Sequence, residues 1–175
     1  MNALQLRDSM IGDISALMRP HQFRRSGRII VRLYPNGNIG TIRFQSSQKS
    51  TAERVFIRPS CEMCSIALHK VEWPDRKCCS MGGQIGKLFS SFVDCLDPRD
   101  DHWWEISDEN DQKLVQSELV EIVEMHVIPW MHSHWEDNQV LDFLRAELSD
   151  GLQGPARTVT ERRIEILSSL SSAAM

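Results

Sequence analysis

Apolar residues recur every third or fourth position over residues 2–18. Leu6, Met10, Ile14, Leu17 and Met18 make one stripe, while Arg7, Asp8 and Asp13 fall off it. That period predicts an amphipathic helix. Pro20 disfavours helical geometry at Arg19, so the helix is expected to stop there. The period then changes to two. Ile29 to Tyr34 and Ile39 to Phe44 alternate as β-strands and flank Pro35-Asn36-Gly37-Asn38. Asn-Gly tolerates the positive φ angles of a tight hairpin turn. Ile29, Val31 and Leu33 share one face of the first strand, and Arg28, Ile30, Arg32 and Tyr34 the other. On the second strand Ile42 and Phe44 oppose Thr41 and Arg43. The expected arrangement buries one apolar face under the N-terminal helix and leaves a wet face carrying Arg28, Arg32 and Arg43.

Past a polar loop, Arg54 to Arg58 reads as a third strand ended by Pro59. Cys64 to Val71 reads as a fourth, and Lys77 to Gln84 as a further strand interrupted by Gly82-Gly83. Ile85, Leu88, Phe89 and Phe92 suggest a short helix over residues 85–93, and residues 97–101 a loop. Ser107 or Asp108 can cap a helix from about Glu109 to Val127, where Leu114, Val115, Leu119, Ile122, Val123, His126 and Val127 form a broad stripe and Pro129 ends or kinks it. Val140, Leu141, Leu144 and Leu148 mark a helix over residues 136–148. Residues 151–155 look like a breaker, and Thr160 like the cap of a last helix reaching Leu170. Strands in one block between helices give an α+β fold: an antiparallel sheet of about four to five strands packed against an N-terminal helix and a C-terminal group of helices. Residues 1–150 are expected to be one domain and residues 151–175 a helical appendage with a frayed tail.

Composition adds little to this picture, but the charge distribution does. The net charge is −4, yet residues 19–58 hold nine arginines and lysines against Glu53 alone, and residues 94–150 hold sixteen acids against three bases. Such segregation suits attraction between the two halves, across the fold or across an oligomer, in preference to a basic surface for an anionic partner. No nucleic-acid-binding signature accompanies the arginines, which argues against nucleic acid. No apolar run reaches a membrane-spanning length. Five cysteines, an odd number, and no signal-like start point to reduced thiols in the cytoplasm.

Candidate chemistry is sparse. Cys61 and Cys64 form a CxxC pair, with His69 and Cys78 as further zinc ligands, but Cys78-Cys79 on a strand would face opposite ways, so idle thiols are the favoured state. His126, His132 and His134 lack an HExxH frame. Residues 82–87, GGQIGK, lack the spacing and the Ser/Thr of a phosphate loop. Trp103 and Trp104 offer a pocket or partner patch, one of them being expected as a core anchor. Arg28, Arg32 and Arg43 could hold a carboxylate or phosphate. No cofactor motif is present.

Taken together, FRRSGRIIVR, NGNIGTIRFQSS, VFIRP, QIGKL, WWEI and the Pro129-Trp130 pair resemble the bacterial domain of unknown function 4304 family over roughly residues 3–147. Phe44-Gln45-Ser46 matches that family's strand ending. Gln84 stands where its arginine would be, and His21-Gln22 where a glycine would precede Phe23. The resemblance implies a compact bacterial α+β domain and carries over no catalytic residue. The expected function is a non-enzymatic binding or protein-interaction domain, antidote-like in one version, with acidic helices masking a basic partner. The alternative is an anionic-ligand binder or enzyme using the arginine-lined sheet face.

Overall fold

The structure, a computed structural model, describes residues 1–72, 81–85 and 102–173. Helix α1 (Ala3–Leu17) opens on a reciprocal cap: the Asn2 side chain accepts the Gln5 N–H and the Gln5 side chain accepts the Asn2 N–H, each at 2.9 Å. Its end coincides with a short 3-10 turn at Arg19–His21 that accommodates Pro20. Strands β1 (Arg24–Ser26), β2 (Ile29–Leu33), β3 (Ile39–Ser46), β4 (Val55–Cys64) and β5 (Met81–Gln84) follow in that order across the sheet, and β6 (Trp104–Ile106) pairs antiparallel with β4. The α+β architecture with an antiparallel sheet, an N-terminal helix and C-terminal helices is therefore the one expected, with six strands among the described residues.

The faces of β2 are the reverse of the expected ones. Ile30 and Tyr34 are buried, and Leu33 is 68 % exposed. The reason lies on β3. Phe44 N–H bonds to Arg28 O and Tyr34 N–H to Asn38 O, both at 2.9 Å. That register sets Ile30 opposite Ile42, on the side of Phe44. Apolar residues occupy both faces of β2, so only the partner strand decides which is covered.

Strand β4 does not end at Pro59 but runs on to Cys64. Its pairing with β6 extends from Val55 to Ile57, so the missing N–H of Pro59 falls beyond that ladder. The segment expected as a fourth strand is instead helix α2 (Ile66–Glu72). Ser65 caps it: the hydroxyl accepts the Leu68 N–H at 3.3 Å, and the carbonyl accepts the His69 N–H at 3.0 Å. Of the strand expected at residues 77–84, residues 77–80 lie outside the described residues. The helix expected over residues 85–93 lies outside them as well except for Ile85, and so does the loop at 97–101.

Helix α3 (Glu109–Ile122) is capped by Asp108, which accepts from the amides of Asn110 and Asp111 at 2.7 and 2.9 Å. A widened π turn (Val123–Val127) leads into α4 (Ile128–Ser133), closed by the Ile128 N–H on Val123 O. Pro129 has no N–H to give and would clash in a continuous α-helix; the widened π turn directly before it breaks the α-helical spacing at that point. Leu114, expected in the buried stripe, is 63 % exposed. Helix α5 (Asp137–Ser149) starts at Glu136 in a capping box with Gln139. Helix α6 (Gly154–Ala173) begins six residues before Thr160. Pro155 favours a first helical turn, so the expected breaker is a start.

The chain forms two compact units: Met1–Arg32 with Thr41–Cys61 and Gly82–Trp130, and Leu33–Gly40 with Glu62–Met81 and Met131–Met175. The core of the first holds Leu6, Met10, Phe23, Ile42, Ile57 and Leu119. That of the second holds Tyr34, Met63, Leu68, Met131, Val140 and Leu144. Within the second, α6 packs on α5 and α2.

One consequence for stability follows from α5 and α6. Burial raises the Glu147 carboxyl above its ordinary pKa of 4.5, and the Arg163 charge partly opposes this. A carboxylate with a raised folded pKa holds its proton more tightly folded than unfolded, so stability falls as pH rises from the unfolded value through the folded one. Glu147→Gln is expected to raise the melting temperature slightly at pH 7, with the gain vanishing by about pH 4. Thermal melts over that range check it; a gain that grows at acid pH contradicts the sign.

Candidate functional site

The three arginines expected to hold an anion do not share one face. Arg28 and Arg32 lie on the side of Ile30, and Arg43 points the other way along β3, as its exposure beside buried Ile42 and Phe44 shows. The Arg32 guanidinium lies 5.9 Å from the Phe23 ring centroid, an intramolecular cation–π contact. Arg28 donates through Nη1 to Ser46 Oγ at 3.1 Å. Arg7, on α1 and 9 % exposed, donates to the same oxygen at 3.0 Å. Arg28 and Arg43 line a shallow depression with Ser26, Ile29, Gln45 and Ser46, and Arg32 does not.

The tryptophan pair separates as alternation on β6 demands. Trp104 is buried, donates its indole N–H to Glu118 at 2.9 Å and meets His102 edge-on at 4.3 Å between ring centroids. Trp103 faces the other way, under the Arg58 guanidinium at 4.5 Å. Trp104 is the core anchor.

Cys61 and Cys64 are three residues apart on β4, which directs their side chains to opposite faces; Cys61 is buried and Cys64 half-buried. His69 sits on α2, and Cys78 lies outside the described residues. Among the described residues no group of three or more His, Cys, Asp or Glu side chains is placed to hold a metal ion. His126 falls in the π turn and His132 in α4, while His134 meets Ser133 Oγ at 2.9 Å and the Phe143 ring edge-on. Lys87 and Gly86 of the phosphate-loop-like segment lie outside the described residues.

A different surface of the first unit gathers more. Leu114, Glu118, Glu121 and Met125 recur at helical spacing along α3 and the π turn, and Met125 is 66 % exposed. Beside them a small apolar groove is lined by Ile14, Leu17 and Met18 of the α1 end and by Val120, Val123, Glu124 and Ile128; Leu17 is 47 % exposed. Glu121 and Glu124 form no ion pair with any described residue. Periodicity marked the helix but assigned Leu114 to the core, so this apolar edge was not foreseen. Its signal was a stripe wider than one packed face needs.

The hairpin turn also hides a polar cluster that spacing did not reveal. Asn38 is fully buried. Its Nδ2 donates to Trp135 O at 2.8 Å and Asp137 Oδ1 at 3.0 Å, and its Oδ1 accepts the Ile66 N–H at 2.8 Å. Ser65 Oγ also donates to Asp137 Oδ1, at 2.7 Å. Every side-chain partner is satisfied internally, which makes this a structural tie rather than an open site.

No protein-family model, no curated protein and no solved structure matches the chain.

Proposed function

We propose that the chain is a non-enzymatic protein-interaction module working through the acidic, apolar-studded face of α3 and the π turn. The observation that carries this reading is the exposure of Leu114 and Met125 on either side of Glu121. Large apolar side chains held in water beside an apolar groove are characteristic of contact surfaces. The carboxylates of Glu121 and Glu124, without an ion pair among the described residues, select the partner's charge: a basic segment with apolar anchors gains attraction on approach and packing on contact. In the antidote-like version this face masks a basic functional surface of the partner. Glu118 is not part of the recognition set, because it holds the Trp104 indole.

The test is capture from host lysate on the immobilised chain, comparing wild type with Leu114→Asp/Met125→Asp and Glu121→Gln/Glu124→Gln. The wild type is expected to retain one basic partner and the apolar double variant to lose it. The neutralised variant should bind roughly tenfold more weakly, with a flatter salt dependence. Equal retention by all three chains contradicts the reading.

The same proposal sets the protein in a bacterial cytoplasm, within the family of unknown function 4304, on the residues given above. Among the described residues no helix is long and apolar enough to cross a membrane. The thiol count bears on the compartment: titration of the unreduced protein unfolded in denaturant, where buried Cys61 also reacts, should return five free thiols, and a lower number argues for an oxidising one.

A further inference from the structure

We infer that the notch where β3 overruns the start of β2 is a binding site for a phosphate-type oxyanion, centred on the Ser46 hydroxyl and flanked by Arg28 and Arg43. A serine hydroxyl has one proton to donate and two lone pairs to accept. Two guanidinium donors bond to the Ser46 oxygen, Arg7 at 3.0 Å and Arg28 at 3.1 Å. With both acceptor positions used, the hydroxyl can act further only as a donor. Two cationic donors on one oxygen also polarise its O–H and strengthen that donation. Ser46 lines the open depression together with Ser26, Arg28 and Arg43, so this is where a new acceptor can reach it.

The charge balance points the same way. Arg7 is held by Asp8, with Nη2 at 2.8 Å, and so enters the cluster already neutralised. Arg28 forms no ion pair with any described residue. Buried Arg7 fixes the hydroxyl from behind, while Arg28 is presented at the rim. β3 continues to Ser46 although β2 begins only at Ile29, and Phe44 N–H already bonds to Arg28 O, so β3 has no β2 residue beside it past that point. The notch is thus a gap in the sheet with a polarised O–H and arginine around it. A phosphate group offers three terminal oxygens and close to two negative charges, which suits convergent donors and a planar guanidinium fork. A carboxylate offers two oxygens and one charge. This site lies apart from the α3 residues of the proposed protein contact and stands or falls separately from it.

The experiment is calorimetric titration of the intact chain with inorganic phosphate, glycerol 2-phosphate, and acetate at matched ionic strength. Phosphate is expected to bind about tenfold or more tightly than acetate. Arg28→Met and Ser46→Ala should each weaken phosphate about tenfold, and Ser46→Thr, which keeps the hydroxyl, should restore it. Tighter binding of glycerol 2-phosphate identifies a monoester as the ligand, and tighter binding of inorganic phosphate the free ion. Melting curves confirm that each variant is folded; if Ser46→Ala is not, Arg28→Met and Arg43→Met decide. Phosphate binding no tighter than acetate, or unchanged in folded Arg28→Met, overturns the proposal.

Discussion

Asn38→Ala is expected to destabilise the second unit by about 3 kcal/mol, the largest effect of any single polar substitution in the hairpin turn. The amide makes three hydrogen bonds in a fully buried position, to Trp135 O, Asp137 Oδ1 and the Ile66 N–H. Alanine removes all three and leaves their partners buried. The Ile66 amide belongs to the first turn of α2, where no intrahelical acceptor exists, so its loss is not made good locally. Ser65→Ala should cost less, about 1–2 kcal/mol. It removes the α2 cap and one bond to Asp137, and alanine leaves no new unsatisfied atom of its own. Urea denaturation orders the two. A smaller loss for Asn38→Ala than for Ser65→Ala contradicts the account of the turn.

The second large effect is expected at Arg163. Its Nε lies 3.1 Å from Glu72 Oε2, and the side chains are only 14 % and 6 % exposed. Arg163→Met leaves the Glu72 carboxylate largely out of water without its cation, at a cost of about 3 kcal/mol. Glu147 loses an opposing charge at the same time, so its raised pKa climbs further and the variant suffers most at neutral and alkaline pH. Replacing both partners, Arg163→Met with Glu72→Leu, should recover most of the loss, because two packed apolar groups need no solvation. Chemical denaturation of the two single variants and the double variant gives the coupling. A double variant as unstable as the sum of the singles contradicts a direct pair.

How far the sequence carried depended on whether local chemistry acted alone. The start of α1 at Asn2, the Asn-Gly turn, the Asp108 cap and the apolar stripe of α5 are local, and each was legible. β2 was not, because Ile29, Val31 and Leu33 compete evenly with Ile30 and Tyr34 until Ile42 and Phe44 choose between them. Pro59 signalled a strand end, yet pairing with β6 stops before it and β4 continues. The helix at α2 was masked by alternating residues 64–71, and its signal, the Ser65 cap, is one serine among many. Gly154-Pro155 carries opposite meanings at the end and at the start of a helix, and only packing on α5 settles which applies. For candidate sites the pattern is similar. Arg28, Arg32 and Arg43 were read as one basic face, which the pairing of β2 with β3 divides, and Arg7 and Ser46 come together from α1 and β3, 39 residues apart in the chain. Non-local convergence leaves no periodic trace.

The charge asymmetry now has a more definite form. The basic segment is partly absorbed by internal contacts, Arg32 over Phe23, Arg58 over Trp103 and Arg54 with Glu105 at 2.8 Å. The acidic helices are less absorbed: Glu118 has the Trp104 indole, whereas Glu121 and Glu124 face water beside Leu114 and Met125. That surplus of exposed acid next to exposed apolar surface is the physical basis for assigning the working surface to α3.

Photo-crosslinking in the host tests that assignment most directly. A photoreactive residue is placed at Leu114 or at Met125, and in a control chain at Leu33, which is equally exposed on the hairpin. The account predicts one shared protein adduct from positions 114 and 125 and none of that mass from position 33. The same adduct from all three positions, or from position 33 alone, would contradict it.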